Sequence, residues 1–464
     1  MKLLLQRSSV NLNNPDKEGR TPLWYATAAG FEGVVRPLLE QEGVDADCQT
    51  KAGRTPLQIA AQDGHEGIVK LLIERDDVNP NYQDDKGRTP LLSAAGSREG
   101  GVVKILLARE SIDPNCPDSE GMAPLAWAAL NGDEEVVGSL LQLKVVNPNW
   151  PSREGKTPLH WAALAGHEGV VKRLLARKDV DPNRPNNQDQ RPLGCAVIKE
   201  REEVVRLLLE REDIDPNCPD FQGRTALWLA AAIGNERVVK MLLEWIDTSP
   251  NHPGNQHNEA FMCAAGFGRE RVANLLLGHR DVNPNYSDDY DRSSLWHASV
   301  NGRVGVVKLL LGCGDIDPNR PNVNGRTPLV CAAAEGHEEV VKLFLEREDV
   351  DPNRPDVKGL TPLVCAALKK HVGIVKLFLE REDIRLDLGD KIDRTPLGCA
   401  STASAPMKRK RSTGGGSEGE QEKRVREEDE KEKVGGRDEE GSNEEGEEGV
   451  GSGGGLKDEC MGNS

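Results

Sequence analysis

A glycine returns every 34 residues through most of this chain, at Gly19, Gly53, Gly87, Gly121, Gly155, Gly223, Gly325 and Gly359. Asp189, His257, Asp291 and Asp393 hold the same phase where the glycine is lost, so the period survives without insertion or deletion. A fixed period of this length means stacked units, each too small to bury its own apolar face and each dependent on its neighbours. It argues against one globular core and makes extended surface the main resource of the chain.

One unit, beginning at Gly325, shows what each block encodes. Thr327 is a good helix N-cap, and Pro328 follows at the first helical position, where its missing N–H costs nothing. A short helix runs to about Glu335, and Gly336 supplies the backbone freedom for a reversal. A second helix carries Val340, Val341, Leu343, Phe344 and Leu345 as its apolar stripe, with Glu338 and Lys342 paired on the exposed side. Asp351-Pro352-Asn353 and Asp356 are turn formers that lead the chain out and back to the next glycine.

These blocks resemble the ankyrin repeat. The family signature reads directly in Gly155-Lys156-Thr157-Pro158-Leu159-His160-Trp161-Ala162-Ala163, followed by Gly166-His167. The resemblance implies an all-α solenoid of stacked helix-turn-helix units with extended hairpin loops. Eleven repeats span residues 19–392, starting at 19, 53, 87, 121, 155, 189, 223, 257, 291, 325 and 359, with partial repeats at 1–18 and 393–404. The thirty-fourth residue, one beyond the usual family length, falls beside loop motifs such as Val180-Asp181-Pro182-Asn183, and the whole is similar to long fungal arrays.

Composition narrows the function classes. The net charge of −17 opposes direct binding to nucleic acid or an anionic membrane. The apolar runs are far shorter than the roughly 18 residues of a membrane span. Cys195, Cys263, Cys331, Cys365 and Cys399 share one slot, filled elsewhere by Ile59, Trp127, Trp161 or Leu229, so they read as packing groups in a reducing compartment. His65, His167, His337 and His371 share another slot at the inter-helix turn and read as structural. No nucleophile–base pair, phosphate loop or metal-ligand spacing stands out, so neither enzyme activity nor a cofactor or metal site is expected.

The ends carry two further expectations. The chain opens halfway through a repeat, with Leu3, Leu4 and Leu5 lacking a partner helix, which fits either a fragment of a longer protein or a frayed start. Residues 405–464 are rich in Gly, Glu and Lys with few apolar groups, the composition of a disordered tail. Within it Lys408, Arg409, Lys410 and Arg411 precede Lys423, Arg424 and Arg426, a pairing that resembles a bipartite nuclear-import signal read by an import receptor.

The resemblance places partner contacts on a concave face of hairpin tips and first helices. Its variable positions are small or polar in the early repeats, as at Lys51, Ala52, Arg54, Gln62 and Asp63. In the middle they become Phe221, Ile233, Phe267, Tyr290 and Val300, with Trp228 and Trp296 beside them. Concentrated exposed aromatics mark a binding patch. The same repeats lose the Thr-Pro pair, holding Thr225-Ala226, Glu259-Ala260 and Ser293-Ser294 instead. The expected function is a monomeric, non-catalytic scaffold that binds other proteins. The alternatives are the recognition arm of a larger signalling or enzymatic protein, and a nuclear regulator that binds a transcription or chromatin factor, with the nucleus or cytoplasm as the compartment.

Overall fold

The structure, a computed structural model, describes residues 11–248 and 256–386. The expected partial repeat at 393–404 lies outside them, as do Cys399, the tail from 405 to 464 and both basic clusters within it. Of the opening partial repeat, only residues 11–18 are described.

Every regular element among the described residues is a helix, and the helices come in pairs. The first five pairs are α1 (Pro22–Ala28) and α2 (Glu32–Leu39), α3 (Pro56–Gln62) and α4 (Glu66–Ile73), α5 (Pro90–Ser97) and α6 (Gly100–Leu107), α7 (Pro124–Asn131) and α8 (Glu134–Leu141), α9 (Pro158–Ala165) and α10 (Glu168–Leu175). The next three are α11 (Pro192–Ile198) and α12 (Glu202–Leu209), α13 (Ala226–Ile233) and α14 (Glu236–Thr248), α15 (Gln256–Phe267) and α16 (Glu270–Leu277). The last three are α17 (Ser294–Val300) and α18 (Val304–Leu311), α19 (Pro328–Glu335) and α20 (Glu338–Leu345), α21 (Pro362–Leu368) and α22 (Val372–Leu379). First helices pack on first helices and second helices on second, all along the array.

The core is a set of columns running through the units. Leu57, Leu91, Leu125, Leu159 and Leu193 form one buried column, and Phe261 takes its place in α15. Ala60, Ala94, Ala128, Ala162 and Ala196 form another, small enough to let first helices approach closely. Val69, Val103, Val137 and Val171, with Leu72, Leu106, Leu140 and Leu174, do the same for the second helices. The cysteine slot is part of this core. Cys195, Cys263, Cys331 and Cys365 are buried, and burial pushes the Cys195 thiol up to about 12.

Caps follow the sequence closely. Thr327 accepts from the Val330 N–H at 3.3 Å, and Thr225 and Ser293 still cap their helices without a following proline. Gly336 is left-handed at φ +86°, and Arg98, Glu200 and Lys370 adopt the same region at the equivalent position. The unit around His257 departs from the pattern. There α14 runs on to Thr248 and α15 starts at Gln256, so Glu259 lies inside a helix rather than at its cap. The extended hairpin loop expected before this helix is replaced in part by helix.

Between units, polar side chains form ladders. Asn149 donates from Nδ2 to the Asp179 carbonyl at 2.6 Å, and its Oδ1 accepts from the Asp181 N–H at 2.9 Å. Asn13, Asn81, Asn115, Asn183, Asn285, Asn319 and Asn353 repeat this link. Each holds its own loop to the loop of the next unit. The turn histidines form a second ladder: Nε2 of His167, His337 and His371 reaches the carbonyls of Leu130, Val300 and Ala334 at 2.9–3.0 Å. Arg201, Arg269 and Arg303 do the same from that slot.

Arginines at the ends of second helices form a third ladder. Arg75 and Arg211 reach back to the carbonyls of Leu39 and Leu175 at 2.7 Å and pair with Asp77 and Asp213. Arg177, Arg347 and Arg381 repeat both contacts.

Two predictions follow from these links. Each Asn rung makes two bonds worth about 1 kcal/mol apiece, so Asn149→Ala should cost about 2 kcal/mol, read as a lower urea midpoint. An unchanged midpoint would mean that water replaces the rung. His160 is fully buried, with Nδ1 accepting from the Thr157 N–H at 3.1 Å and Nε2 facing the Gln190 carbonyl at 3.0 Å. Burial lowers its pKa to about 4, below the 6.5 of an exposed imidazole. The unfolded chain therefore binds the proton first, and stability falls as pH drops from 6.5 towards 4. Going from pH 7 to pH 5 should cost about 2 kcal/mol at this site. Gln58 fills the same slot and makes the same cap, accepting from the Thr55 N–H at 2.9 Å. His160→Gln should therefore keep the cap and flatten the pH dependence; an equally steep profile in the variant would assign the titration elsewhere.

Candidate functional site

Several hairpin tips are closed by a side chain three residues ahead of the opening glycine slot. Asp220 Oδ1 accepts from the N–H groups of Gln222 and Arg224 at 3.0 and 2.9 Å, and its Oδ2 holds Arg224 Nε at 2.9 Å. Asp288 does the same for Tyr290 and Arg292 at 3.0 and 2.9 Å, with Oδ2 on Arg292 Nε at 2.7 Å. Burial alone would raise the Asp288 carboxyl, but hydrogen bonds from His297 and Arg292 hold it well below the usual carboxylate range. The tip is thus a fixed anion that clamps an arginine.

The clamped arginine carries the aromatics. Arg224 lies over the Trp228 ring at 5.9 Å, while Arg292 lies 4.8 Å from the centroid of Tyr290 and 5.6 Å from that of Trp296. Such stacking favours a guanidinium whose plane is already fixed. Phe267, at the end of α15, meets Trp228 edge to face at 6.3 Å. The structure therefore brings Trp228 together with Phe267, and Tyr290 together with Trp296.

The exposed members are Phe221 (57%), Tyr290 (54%) and Phe267 (43%). Trp296 is a correction: it is only 8% exposed, because it packs beneath Arg292 and against His297. It supports a surface and offers none. Trp228 and Ile233 are half-buried against the core, and Val300 is half-buried with its carbonyl facing His337 at 2.9 Å. Phe221 and Tyr290 stand on tips two units apart, with the altered unit around His257 between them.

Two features escaped the reading of the variable positions. Val323 and Val357 are exposed at 52% and 50%, on the tips that follow Tyr290. Their N–H groups donate to the carbonyls of Tyr290 and Asn324 at 3.0 Å, so the three form one row. The second feature is another aromatic clamp near the start of the array. There Arg20 lies over Trp24 and Tyr25 at 5.7 and 5.2 Å, and the Tyr25 hydroxyl donates to Asp16 at 2.8 Å. A signal for it was present: Asp, Arg and Trp recur at intervals of four in Asp16–Arg20–Trp24, Asp220–Arg224–Trp228 and Asp288–Arg292–Trp296.

Comparison with known proteins places the array. The family described as "Ankyrin repeats (3 copies)" matches in overlapping stretches that run from residue 29 to residue 390. Among solved structures, the ankyrin repeat domain of Bcl-3, titled a unique member of the IkappaB protein family, is similar at 23% identity and a TM-score of 0.44. That likeness covers 49% of this chain and 100% of that one. A search of curated proteins found no match. No helix among the described residues is long and apolar enough to cross a membrane.

Proposed function

Because this chain belongs to the ankyrin repeat family, whose repeats are generally protein–protein interaction modules, we propose that it is a non-catalytic scaffold binding partner proteins through the tips and first helices of its middle repeats. The observation that carries this reading is the set of exposed apolar side chains in these repeats: Phe221, Phe267 edge to face with Trp228, and the row of Tyr290, Val323 and Val357. Tyr290, held at the surface by the salt-bridged Arg292, loses little freedom on binding, the property expected of an interface anchor. The acidic tip carboxylates are already engaged by arginine, so recognition falls to apolar side chains and backbone groups.

The combined variant Phe221→Glu, Phe267→Glu and Tyr290→Glu tests the reading. A partner captured from native lysate by the full chain should bind the variant at least about tenfold more weakly, with the melting temperature unchanged. Retained affinity would remove these residues from the interface, and a parallel drop in melting temperature would make them packing groups.

Import through the two basic clusters in the tail is proposed on their sequence alone. A fluorescent fusion lacking residues 405–464 should lose nuclear enrichment relative to the full chain. The same distribution with and without the tail would count against it.

A further inference from the structure

In five units the slot after the second helix holds Arg75, Arg177, Arg211, Arg347 or Arg381, each paired with an aspartate two residues on at 2.5–2.7 Å. Each arginine also reaches a carbonyl 36 residues back, near the end of the preceding second helix. In one unit that slot holds His279, and the aspartate is Asp281. Its carbonyl target would be that of Leu243, which lies inside α14 because that helix continues to Thr248. Where those five units carry a guanidinium against a helix end, this one carries an imidazole.

A second imidazole joins it. His257 occupies the slot that is glycine or aspartate in every other unit, and the early start of α15 buries it completely. Its ring stacks on that of His279 at 4.6 Å, with 13° between the planes. His279 Nδ1 stands 3.9 Å from Asp281 Oδ2, too far for the direct pairing that the arginines make. One ligand atom from each of His257, His279 and Asp281 lies within 4.8 Å of the other two. Donors around a tetrahedral ion, bonded at about 2.0–2.2 Å, stand roughly 3.3–3.5 Å apart, and an ion lies in the plane of each imidazole it binds, so one ring must turn out of the stack to close the set.

We propose that His257, His279 and Asp281 form a binding site for one divalent transition-metal ion of the zinc class. Two imidazoles and a carboxylate are the donor set such ions take, whereas calcium and magnesium need more oxygen ligands. The ion puts a positive charge where the five Arg–Asp units keep a guanidinium, and it ties the start of α15 to the loop after α16. Two neighbouring groups compete with it. Arg280 approaches Asp281 at 3.6 Å, and the Asp281 N–H bonds His279 Nδ1 at 3.3 Å, a long contact that ligation through that nitrogen would replace. Water completes the coordination, because three protein ligands leave a fourth position open.

The test uses the full chain, stripped with chelator and titrated at pH 7.5 with zinc by calorimetry and with cobalt by visible absorption. The expected result is one saturable equivalent with micromolar or tighter affinity and a tetrahedral cobalt band, with magnesium and calcium giving neither. His279→Arg installs the residue of the five Arg–Asp units and keeps the fold testable, and Asp281→Asn is a milder change at an exposed position. Each should weaken binding by at least about tenfold and remove the rise in melting temperature that zinc gives the parent. No saturable equivalent in the parent, or affinity unchanged in both variants, would overturn the proposal.

Discussion

No helix pair in this array has a core of its own. Its buried leucine, alanine and valine slots face the same slots in the units on either side, so each unit is completed only by its neighbours. The alanine column in the first helices sets how closely units stack, and the rest of the geometry is built on that spacing. A side chain reaching 30 to 37 residues along the sequence reaches just one unit along the stack. Long-range order in this molecule is therefore a chain of nearest-neighbour contacts.

Apolar columns alone would let units slide or rotate against one another, and the polar ladders prevent it. The asparagine rungs fix loop to loop, the turn histidines and arginines fix turn to first helix, and the Arg–Asp pairs fix one second helix to the next. Each rung satisfies backbone groups that the loops and helix ends leave over, so its loss exposes an unpaired carbonyl or N–H as well as breaking a bond. In the unit around His257 the pattern changes. The Asn283 N–H, which an asparagine 32 residues earlier would bond in the regular rungs, is taken by Asn258 Oδ1 at 2.7 Å. Helix extension has replaced loop geometry there, and the rung is supplied from within the same unit.

Much of this was legible in the sequence because it is local. The period, the Thr-Pro caps, the left-handed glycine at the turn and the apolar cysteine slot each depend on residues within one block. The partners of Asn149 or His167 are not local: Asp-Pro-Asn reads as a turn, and its second role exists only once the next unit is stacked on it. The aromatic site was half legible for the same reason. Position within the repeat marked Phe221, Phe267 and Tyr290 as exposed, but the burial of Trp296 depends on Arg292, whose direction is set by Asp288. The grouping of His257, His279 and Asp281 was hidden altogether, since it needs two helices to depart from their usual ends.

What varies in this array is what its ladders leave free. The tip carboxylate, its arginine and the tryptophan under it are kept in the units of Asp16, Asp220 and Asp288, while a second ring laid against the arginine, Tyr25 or Tyr290, is added in two of them. Fixing the cation first means that an added ring is oriented without further ordering cost, so one scaffold can present different apolar surfaces at little expense in stability. The unit around His257 takes the opposite course. There the carbonyl that the arginine would reach lies inside a longer helix, and the slot holds a histidine instead. A slot changed in this way can accept a residue of different chemistry without breaking the stack, because the apolar columns are still filled in this unit, by Phe261 in place of leucine and Ala273 in place of valine. New chemistry in such a protein is accordingly expected where a helix end has shifted and the rung residue has been exchanged, and new recognition where a rung holds firm and its outer neighbour is exchanged.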